Sequence, residues 1–255
     1  MNTTINTILM SDVISEQIKD QIILHIPHSK TNIPIKDGFN LDLIESETNL
    51  LVDHATDRIF DLPNIDKLIF EHNRIFCDVE RLDDNDEPLF QKGRGFYYTH
   101  TDNGEVLREL LPDLKTKIKS DYYNKHHNLL QSITEEKLNK YNSTIIIDCH
   151  SFTDEPFQTD MDKTSNRPDI CLGVDEYHTP SWLITQLKKG FENHNLSVKI
   201  NSPYSGTIIP LTYYKKDKRV KGIMIEINRK IYINNGVIND DEVKKLNDII
   251  SDILF

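Results

Sequence analysis

The sequence predicts an α/β protein in which helices cover both faces of a mixed, mainly parallel sheet, giving three layers. Short apolar runs rich in β-branched residues alternate with longer segments of helical periodicity, and this alternation is typical of a parallel sheet. The 255 residues contain no internal repeat, Gly/Ser linker or low-complexity tract. We therefore expect a single domain over residues 1–255.

Five apolar runs are predicted as interior strands of this sheet. They cover Ile22 to Ile26, Leu68 to Phe70, Thr144 to Ile147, Ile170 to Val174 and Gly222 to Ile227. In an open α/β sheet, ligands bind beyond the carboxyl ends of the strands. Polar residues directly after these runs are therefore the first candidates for chemistry.

Helical periodicity predicts the segments that cover the sheet. The longest has apolar residues at Leu114, Ile118, Tyr122, Leu129, Leu130 and Ile133. The other helical regions lie around Leu41 to Phe60, Trp182 to Phe191 and Val243 to Leu254. Each connects two predicted strands or follows the last one, as an α/β architecture requires.

Charge and composition exclude several classes of protein. Lys and Arg total 30 against 41 Asp and Glu, so the net charge of −11 argues against a nucleic-acid or anionic-membrane partner. No apolar run could span a bilayer and no signal peptide is evident, so we expect a cytoplasmic protein. Cys77, Cys149 and Cys171 form no CxxC pair and are predicted to be buried free thiols. Nothing in the sequence predicts an oligomeric state.

Two predicted strands end in a histidine. The first ends in Ile26-Pro27-His28-Ser29, and the third ends in Asp148-Cys149-His150-Ser151. Two imidazoles at one rim of a sheet could share a zinc ion, because catalytic zinc commonly takes three protein ligands and favours neutral imidazole. The alternative for each is a loop histidine that only donates or accepts hydrogen bonds.

A carboxylate would complete such a site. The helix predicted over Leu50 to Phe60 offers Asp53 and Asp57, one turn apart, and either could reach the rim. Charge on the helix surface is the alternative. Asp148, two residues before His150 on the same strand, would point the same way and could orient a ligand or serve as a buried structural carboxylate.

Glu226 interrupts the apolar strand Gly222 to Ile227, where an unpartnered carboxylate is costly. Beside a metal it could act as a general base, because desolvation raises its pKa and a cation lowers it again. An ion pair with Arg229 is the alternative.

Three arginines and one further histidine are candidates for substrate binding. Arg74 and Arg81 flank Phe76-Cys77-Asp78, and Arg229 follows Glu226. A guanidinium group binds carboxylates through two parallel hydrogen bonds, so these residues could hold a small anion; surface salt bridges are the alternative. His127 lies on the longest helix and either faces the site or lies on the helix surface.

Other catalytic signatures are absent from the sequence. It contains no GxxxxGK[ST], GxGxxG, GxSxG or HExxH motif. Any zinc site must therefore be assembled from distant segments.

Six segments occur in the order seen in N-formylglutamate amidohydrolases, which the chain resembles over about residues 20 to 235. They are Ile26-Pro27-His28-Ser29, Val52-Asp53-His54-Ala55-Thr56-Asp57, Asn73-Arg74-Ile75-Phe76-Cys77-Asp78-Val79-Glu80-Arg81, Tyr122-Tyr123 with His127, Asp148-Cys149-His150-Ser151, and Glu226-Ile227-Asn228-Arg229 with Tyr232. None is specific alone, but the six in order are. That family is similar in fold to zinc carboxypeptidases and aspartoacylases, which implies a zinc-carboxypeptidase-like, phosphorylase/hydrolase-like sandwich here.

The resemblance implies a zinc-dependent hydrolysis of N-formyl-L-glutamate, or of a similar small anionic N-acyl amino acid, as in histidine degradation. It assigns the zinc ligands to His28, Asp53 and His150, with Asp57 as the alternative carboxylate, and the general base to Glu226. The positions assigned to substrate binding are Arg74, Arg81, Arg229, His127 and Ser151.

Two departures from the family pattern bear on specificity. Asp78-Val79-Glu80-Arg81 stands where the family usually shows Asp-x-Asn-Arg, which adds a negative charge beside Arg81. The segment from Tyr204 to Pro210 replaces what is often a double glycine followed by an arginine. Two further functions stay open: a zinc peptidase or amidase acting on a larger peptide or cell-wall substrate, and a non-catalytic module that binds a small anion without metal.

Overall fold

A six-stranded sheet in the order β2-β1-β3-β6-β4-β5 forms the centre of the computed structural model, which describes residues 16–82 and 86–255. The strands are β1 (Ile22–Ile26), β2 (Asp66–Ile69), β3 (Thr144–Phe152), β4 (Ile170–Gly173), β5 (Val198–Ile200) and β6 (Val220–Asn228). Neighbouring strands are parallel except β4 and β6, which confirms the predicted mixed, mainly parallel sheet. The strands β7 (Ile233–Asn234) and β8 (Val237–Ile238) form a separate antiparallel pair.

The helices lie between the strands and at both ends of the described chain. They are α1 (Glu16–Lys19), α2 (Leu41–Leu51), α3 (Thr56–Ile59), α4 (Pro112–Ile118), α5 (Asn124–Tyr141), α6 (Ser181–Asn193) and α7 (Asp240–Leu254). A π-helical turn over Lys119–Tyr123 joins α4 and α5. Short 3₁₀ turns occur at Phe90–Lys92 and Arg229–Ile231.

Side-chain alternation along β3 separates two cores. Ile145, Ile147 and Cys149 pack in the core that α6 and α7 cover, whereas Ile146 packs with Leu130 of α5 on the other face. Because alternate residues of a strand share a face, Asp148 and His150 point to the same side as Ile146. The polar end of β3 therefore lies on the side of the sheet that α5 covers.

The predicted helix around Leu41 to Phe60 is wrong in one respect that matters for the site. It breaks after Leu51, and Ala55 adopts a left-handed φ of 64° before α3 begins. Asp53 lies in this break, where its N–H donates to the carbonyl of His28 at 2.9 Å. Asp53 and Asp57 therefore do not lie one turn apart on a helix.

The strand β5 is the one strand of the sheet that has no counterpart among the predicted runs. It is three residues long and lies at the sheet edge, where Lys199 and Ile200 are exposed. An edge strand this short and this exposed lacks the apolar run that marks an interior strand.

Two simple predictions can be compared with the structure. Cys77, Cys149 and Cys171 are buried and free, as expected. In the part of the chain that is described, no helix has both the length and the hydropathy needed to cross a bilayer. The single domain over 1–255, the cytoplasmic location and the likeness to zinc carboxypeptidases stay predictions.

Candidate active site

A cavity of about 470 Å³ opens where the carboxyl ends of β1, β3 and β6 meet. Its polar wall includes His28, Asp53, Glu80, His150 and Glu226. Its apolar wall includes Leu89, Phe152, Phe157, Met161, Pro203 and Met224. The cavity is therefore at the edge of the sheet where the topology places ligands.

His28 and His150 are brought together as the sequence predicted. Their ring centroids are 5.1 Å apart, and both side chains are buried. His28 Nε2 donates to Asp78 Oδ1 at 2.9 Å, which leaves His28 Nδ1 as a buried nitrogen without a hydrogen-bond partner. His150 Nε2 is also buried and makes no hydrogen bond.

Asp53 lies beside both histidines. Its Oδ2 is 3.0 Å from His150 Nδ1 and 3.6 Å from His28 Nδ1, and its Oδ1 accepts from Arg229 Nη2 at 2.8 Å. Burial acts to raise the pKa of Asp53, but its close contacts with His150 and His28 hold the pKa well below its usual value. Asp57, the alternative carboxylate, instead accepts from Lys30 Nζ at 2.8 Å.

Glu80 is the carboxylate that the sequence analysis did not consider as a ligand. Its Oε2 lies 3.0 Å from His150 Nε2 and 3.9 Å from His28 Nδ1. Ligand atoms of His28, Glu80 and His150 all lie within 4.8 Å of one another. The only signal for Glu80 in the sequence was its departure from the Asn of the family pattern.

The donor set fits a divalent cation such as zinc. Two imidazoles and a carboxylate are ligand types that zinc prefers. His28 Nδ1 and His150 Nε2 are buried and make no hydrogen bond, and Glu80 Oε2 lies 3.9 and 3.0 Å from them. Burial acts to lower the pKa of His150, but Glu80 and Asp148 raise it well above its usual value, so this position favours positive charge.

A second pair of histidines extends this cluster into the interior. His25 Nδ1 lies 2.8 Å from Asp148 Oδ1, and His25 Nε2 lies 2.8 Å from His126 Nε2. Asp148 Oδ1 is also 3.1 Å from His150 Nε2, so the two side chains lie on the same side of β3 as predicted. Sequence reasoning missed His25, although a histidine within the apolar run Ile22 to Ile26 is the same signal that identified Glu226.

Glu226 lies beside His150, because the two residues are register partners on β6 and β3. Its side chain lines the cavity, and its Oε2 is buried without a hydrogen-bond partner. Burial, assisted by Asp53, raises the pKa of Glu226 to about 8. The alternative ion pair with Arg229 does not form, since Arg229 pairs with Asp53.

Two of the three predicted arginines are occupied by protein groups. Arg74 donates to Asp78 Oδ2 through Nε and Nη2, at 3.2 and 3.0 Å. Arg229 donates to Ser151 Oγ at 3.0 Å, to the Leu50 carbonyl at 2.7 Å and to Asp53. These contacts use the groups that would otherwise bind a substrate carboxylate.

Arg81 and Arg94 retain a donor without a partner. Both line the cavity, and the Nε of each is buried and makes no hydrogen bond. Arg81 Nη1 donates to Glu87 at 3.1 Å, and Arg94 Nη1 donates to Asp102 at 2.9 Å. Arg94 was not singled out from the sequence, because it lies outside the six segments.

Of the two other residues predicted to bind substrate, Ser151 lines the cavity and His127 does not. Ser151 lines the cavity, where its Oγ accepts from Arg229. His127 is not part of the cavity wall and instead packs against Tyr123, with ring centroids 4.3 Å apart. Successive residues of a helix point about 100° apart, so His126 faces the cluster and His127 does not.

Comparisons with known proteins identify a family and similar folds. A family model described as N-formylglutamate amidohydrolase matches residues 20–233. An N-formylglutamate amidohydrolase from Ralstonia eutropha JMP134 has a TM-score of 0.80 at 18% identity, over 92% of this chain and 91% of that chain. A gene product from Agrobacterium tumefaciens has a TM-score of 0.64 at 16% identity, over 93% and 88%. At such identities the structures show the fold alone. No curated protein matches the chain.

The roles of the arginines can be separated by their effect on stability. Arg229→Gln should lower the free energy of unfolding by about 3–5 kcal/mol, because it leaves the buried Asp53 carboxylate without its ion pair. Arg81→Gln should cost on the order of 1 kcal/mol or less, because the Arg81 side chain is 30% exposed. Urea unfolding of both variants measures the difference, and equal costs would contradict the structural role of Arg229.

Proposed function

Because the chain belongs to the N-formylglutamate amidohydrolase family, it is a hydrolase, and we propose that it cleaves the amide of N-formyl-L-glutamate or of a similar N-acylated acidic amino acid. Water adds its oxygen to the acyl carbon, the C–N bond breaks, and the nitrogen leaves with a proton, giving formate and glutamate. The observation that carries this proposal is that one cavity contains two buried histidines, a carboxylate beside them and Glu226, whose Oε2 makes no hydrogen bond.

We further propose that His28 Nδ1, His150 Nε2 and Glu80 Oε2 hold one divalent cation, with zinc as the expected metal. A metal-binding histidine commonly donates its other ring N–H to a carboxylate. Asp78 accepts from His28 in this way, and Asp53 is in position to accept from His150. Both oxygens of Asp53 are already in contact with protein groups, which favours Glu80 as the ligand and Asp53 as the residue that orients His150.

When bound, such a cation polarises an amide carbonyl and lowers the pKa of a water molecule. Glu226 would take a proton from the attacking water and deliver it to the leaving nitrogen. Its unpartnered oxygen and its place beside His150 support this role. Without a cation, burial raises the pKa of this carboxyl to about 8, and a cation beside it would lower the pKa and favour the basic form.

Arg81 and Arg94 are the residues we propose for the substrate carboxylates. Both side chains line the cavity, and each has a buried Nε that makes no hydrogen bond. A hydrogen bond between a guanidinium and a carboxylate is charge-assisted and therefore stronger than a neutral one. Arg74 and Arg229 would act indirectly, by holding Asp78 and Asp53 in place.

The apolar wall favours a second candidate function, hydrolysis of an amide on a larger, partly apolar substrate. Phe152, Phe157 and Met161 line the cavity, and its volume of about 470 Å³ lies within the range of sites for drug-sized ligands. A peptide or a longer N-acyl group would use this wall, whereas a formyl group would leave it empty.

A formate-release assay tests the proposed activity. Purified protein supplied with Zn²⁺ should release formate from N-formyl-L-glutamate and lose this activity after treatment with a chelator. N-acetyl and longer N-acyl derivatives of acidic and apolar amino acids, followed by amine release, test the second candidate. Hydrolysis of none of these substrates would overturn the proposal.

Glu226→Gln should reduce turnover by about 10²–10⁴-fold, because the amide cannot accept the proton. Bound metal should be unchanged, as measured by atomic emission. Turnover near that of the wild type would remove Glu226 as the base.

The same variant has a stability readout in the metal-free protein. The raised pKa means that the folded protein keeps a proton on Glu226 that the unfolded chain releases near pH 4.5. The stability that this proton contributes is lost as the pH rises toward 8, so the wild type should lose stability between about pH 5 and 8 and the variant should lose less.

The two carboxylates beside the histidines should differ in their effect on metal affinity. Glu80→Gln should weaken Zn²⁺ binding more than Asp53→Asn, because Glu80 is the proposed ligand and Asp53 orients His150. Residues that orient a ligand typically contribute about 10- to 100-fold in affinity. Competition with a chromophoric chelator measures both, and the reverse order would identify Asp53 as the ligand.

A further inference from the structure

We propose that the chain holds a second divalent cation next to the first, at His25, Asp148 and Glu80, with Glu80 shared between the two. This inference rests on the proposed function only because Glu80 is also a ligand of the first proposed site. Metal binding is measured without any substrate, so the two proposals can fail separately.

The geometry of the three side chains is that of a small-ion site. His25 Nδ1 lies 2.8 Å from Asp148 Oδ1 and 3.5 Å from Glu80 Oε1, and the ligand atoms of all three residues lie within 4.8 Å of one another. Two atoms that each lie about 2 Å from one ion are at most about 4 Å apart, and both distances from His25 Nδ1 fall below this limit. His25 and Asp148 are fully buried, so bulk water does not solvate these groups.

The one proton on His25 Nδ1 cannot supply a hydrogen bond to both neighbouring carboxylates. His25 Nδ1 carries at most one proton but faces two carboxylate oxygens. Its hydrogen bond to Asp148 leaves Glu80 Oε1 buried without a hydrogen-bond partner. A buried acceptor without a partner is costly, whereas a cation in the place of the proton would contact both carboxylates at once.

The charges of the neighbouring residues also favour a second cation. Among the buried carboxylates, Asp53 is paired with Arg229 and Asp78 with Arg74. Within the described chain, Glu80 and Asp148 have ion pairs only with histidines, namely His25, His28 and His150. A cation at the first site would neutralise Glu80 but leave Asp148 without a formal positive charge.

His25 is supported in the same manner as His28. With His25 Nδ1 on a cation, its Nε2 carries the ring proton and donates to His126 Nε2, 2.8 Å away. A neutral His126 ring accepts this hydrogen bond at the nitrogen that carries no proton. His28 shows the corresponding arrangement, with Nδ1 free and Nε2 bound to Asp78.

Glu80 links the two sites through its two oxygens. Oε2 faces His28 and His150, while Oε1 faces His25. A carboxylate can therefore contact one ion with each oxygen, and two-metal hydrolases hold their paired ions about 3.5–4 Å apart. An asparagine at this position would provide one acceptor oxygen and no charge.

Metal stoichiometry tests the proposal. The purified protein is stripped with a chelator, loaded with Zn²⁺ and analysed by atomic emission, and a parallel sample is loaded with Mn²⁺ for electron paramagnetic resonance. The wild type should bind two equivalents of Zn²⁺ and show an exchange-coupled Mn²⁺ spectrum. His25→Gln should bind one equivalent and show an isolated Mn²⁺ spectrum.

His127→Gln is the matched control, because this half-buried histidine is on the same helix as His126 but belongs to neither metal group. It should bind two equivalents. Asp148→Asn is a second variant should His25→Gln fail to fold, and it should also bind fewer than two. A wild type that binds one equivalent with uncoupled Mn²⁺, or a folded His25→Gln that binds two, would overturn this inference alone. A wild type that binds no metal would also overturn the first site.

Discussion

The buried contact between Asp53 and its three basic neighbours is the constraint on which the site depends. Asp53 lies in the break between two helices, accepts from Arg229 beyond β6, and contacts His150 of β3 and His28 beyond β1. A carboxylate so completely buried is stable only with such partners. The same contacts therefore join three strands and hold both histidines at the cavity.

Most of the charged groups around the cavity serve to position others. Arg74 and Arg229 hold Asp78 and Asp53, and these carboxylates in turn contact His28 and His150. Each buried charge is thereby paired, which removes the cost of keeping a carboxylate out of water. His28 Nδ1, Glu80 Oε1 and Glu226 Oε2 make no hydrogen bond, and all three belong to residues that line the cavity.

The protein is acidic overall, whereas its cavity wall contains several arginines. The chain carries a net charge of −11, but Arg74, Arg81 and Arg94 all contribute to the cavity wall. Positive charge confined to one cavity attracts a small anion without making the surface attractive to a polyanion. The cavity wall also includes the apolar side chains of Phe152 and Phe157, so the apolar part of a ligand would be a separate determinant of binding.

The sequence by itself determined the class of fold, the strand ends with His28 and His150, and the buried Glu226, because periodicity and a polar residue within an apolar run are local signals. Only the tertiary structure decided which carboxylates meet the histidines. The position of Asp53 depends on the break between α2 and α3, where Ala55 is left-handed. The position of Glu80 depends on a loop that brings its side chain to His150 of β3. Likewise, His126 rather than His127 meets His25, since the rotation of a helix about its axis is set by packing. Distances between segments far apart in the chain arise from packing, which no local pattern encodes.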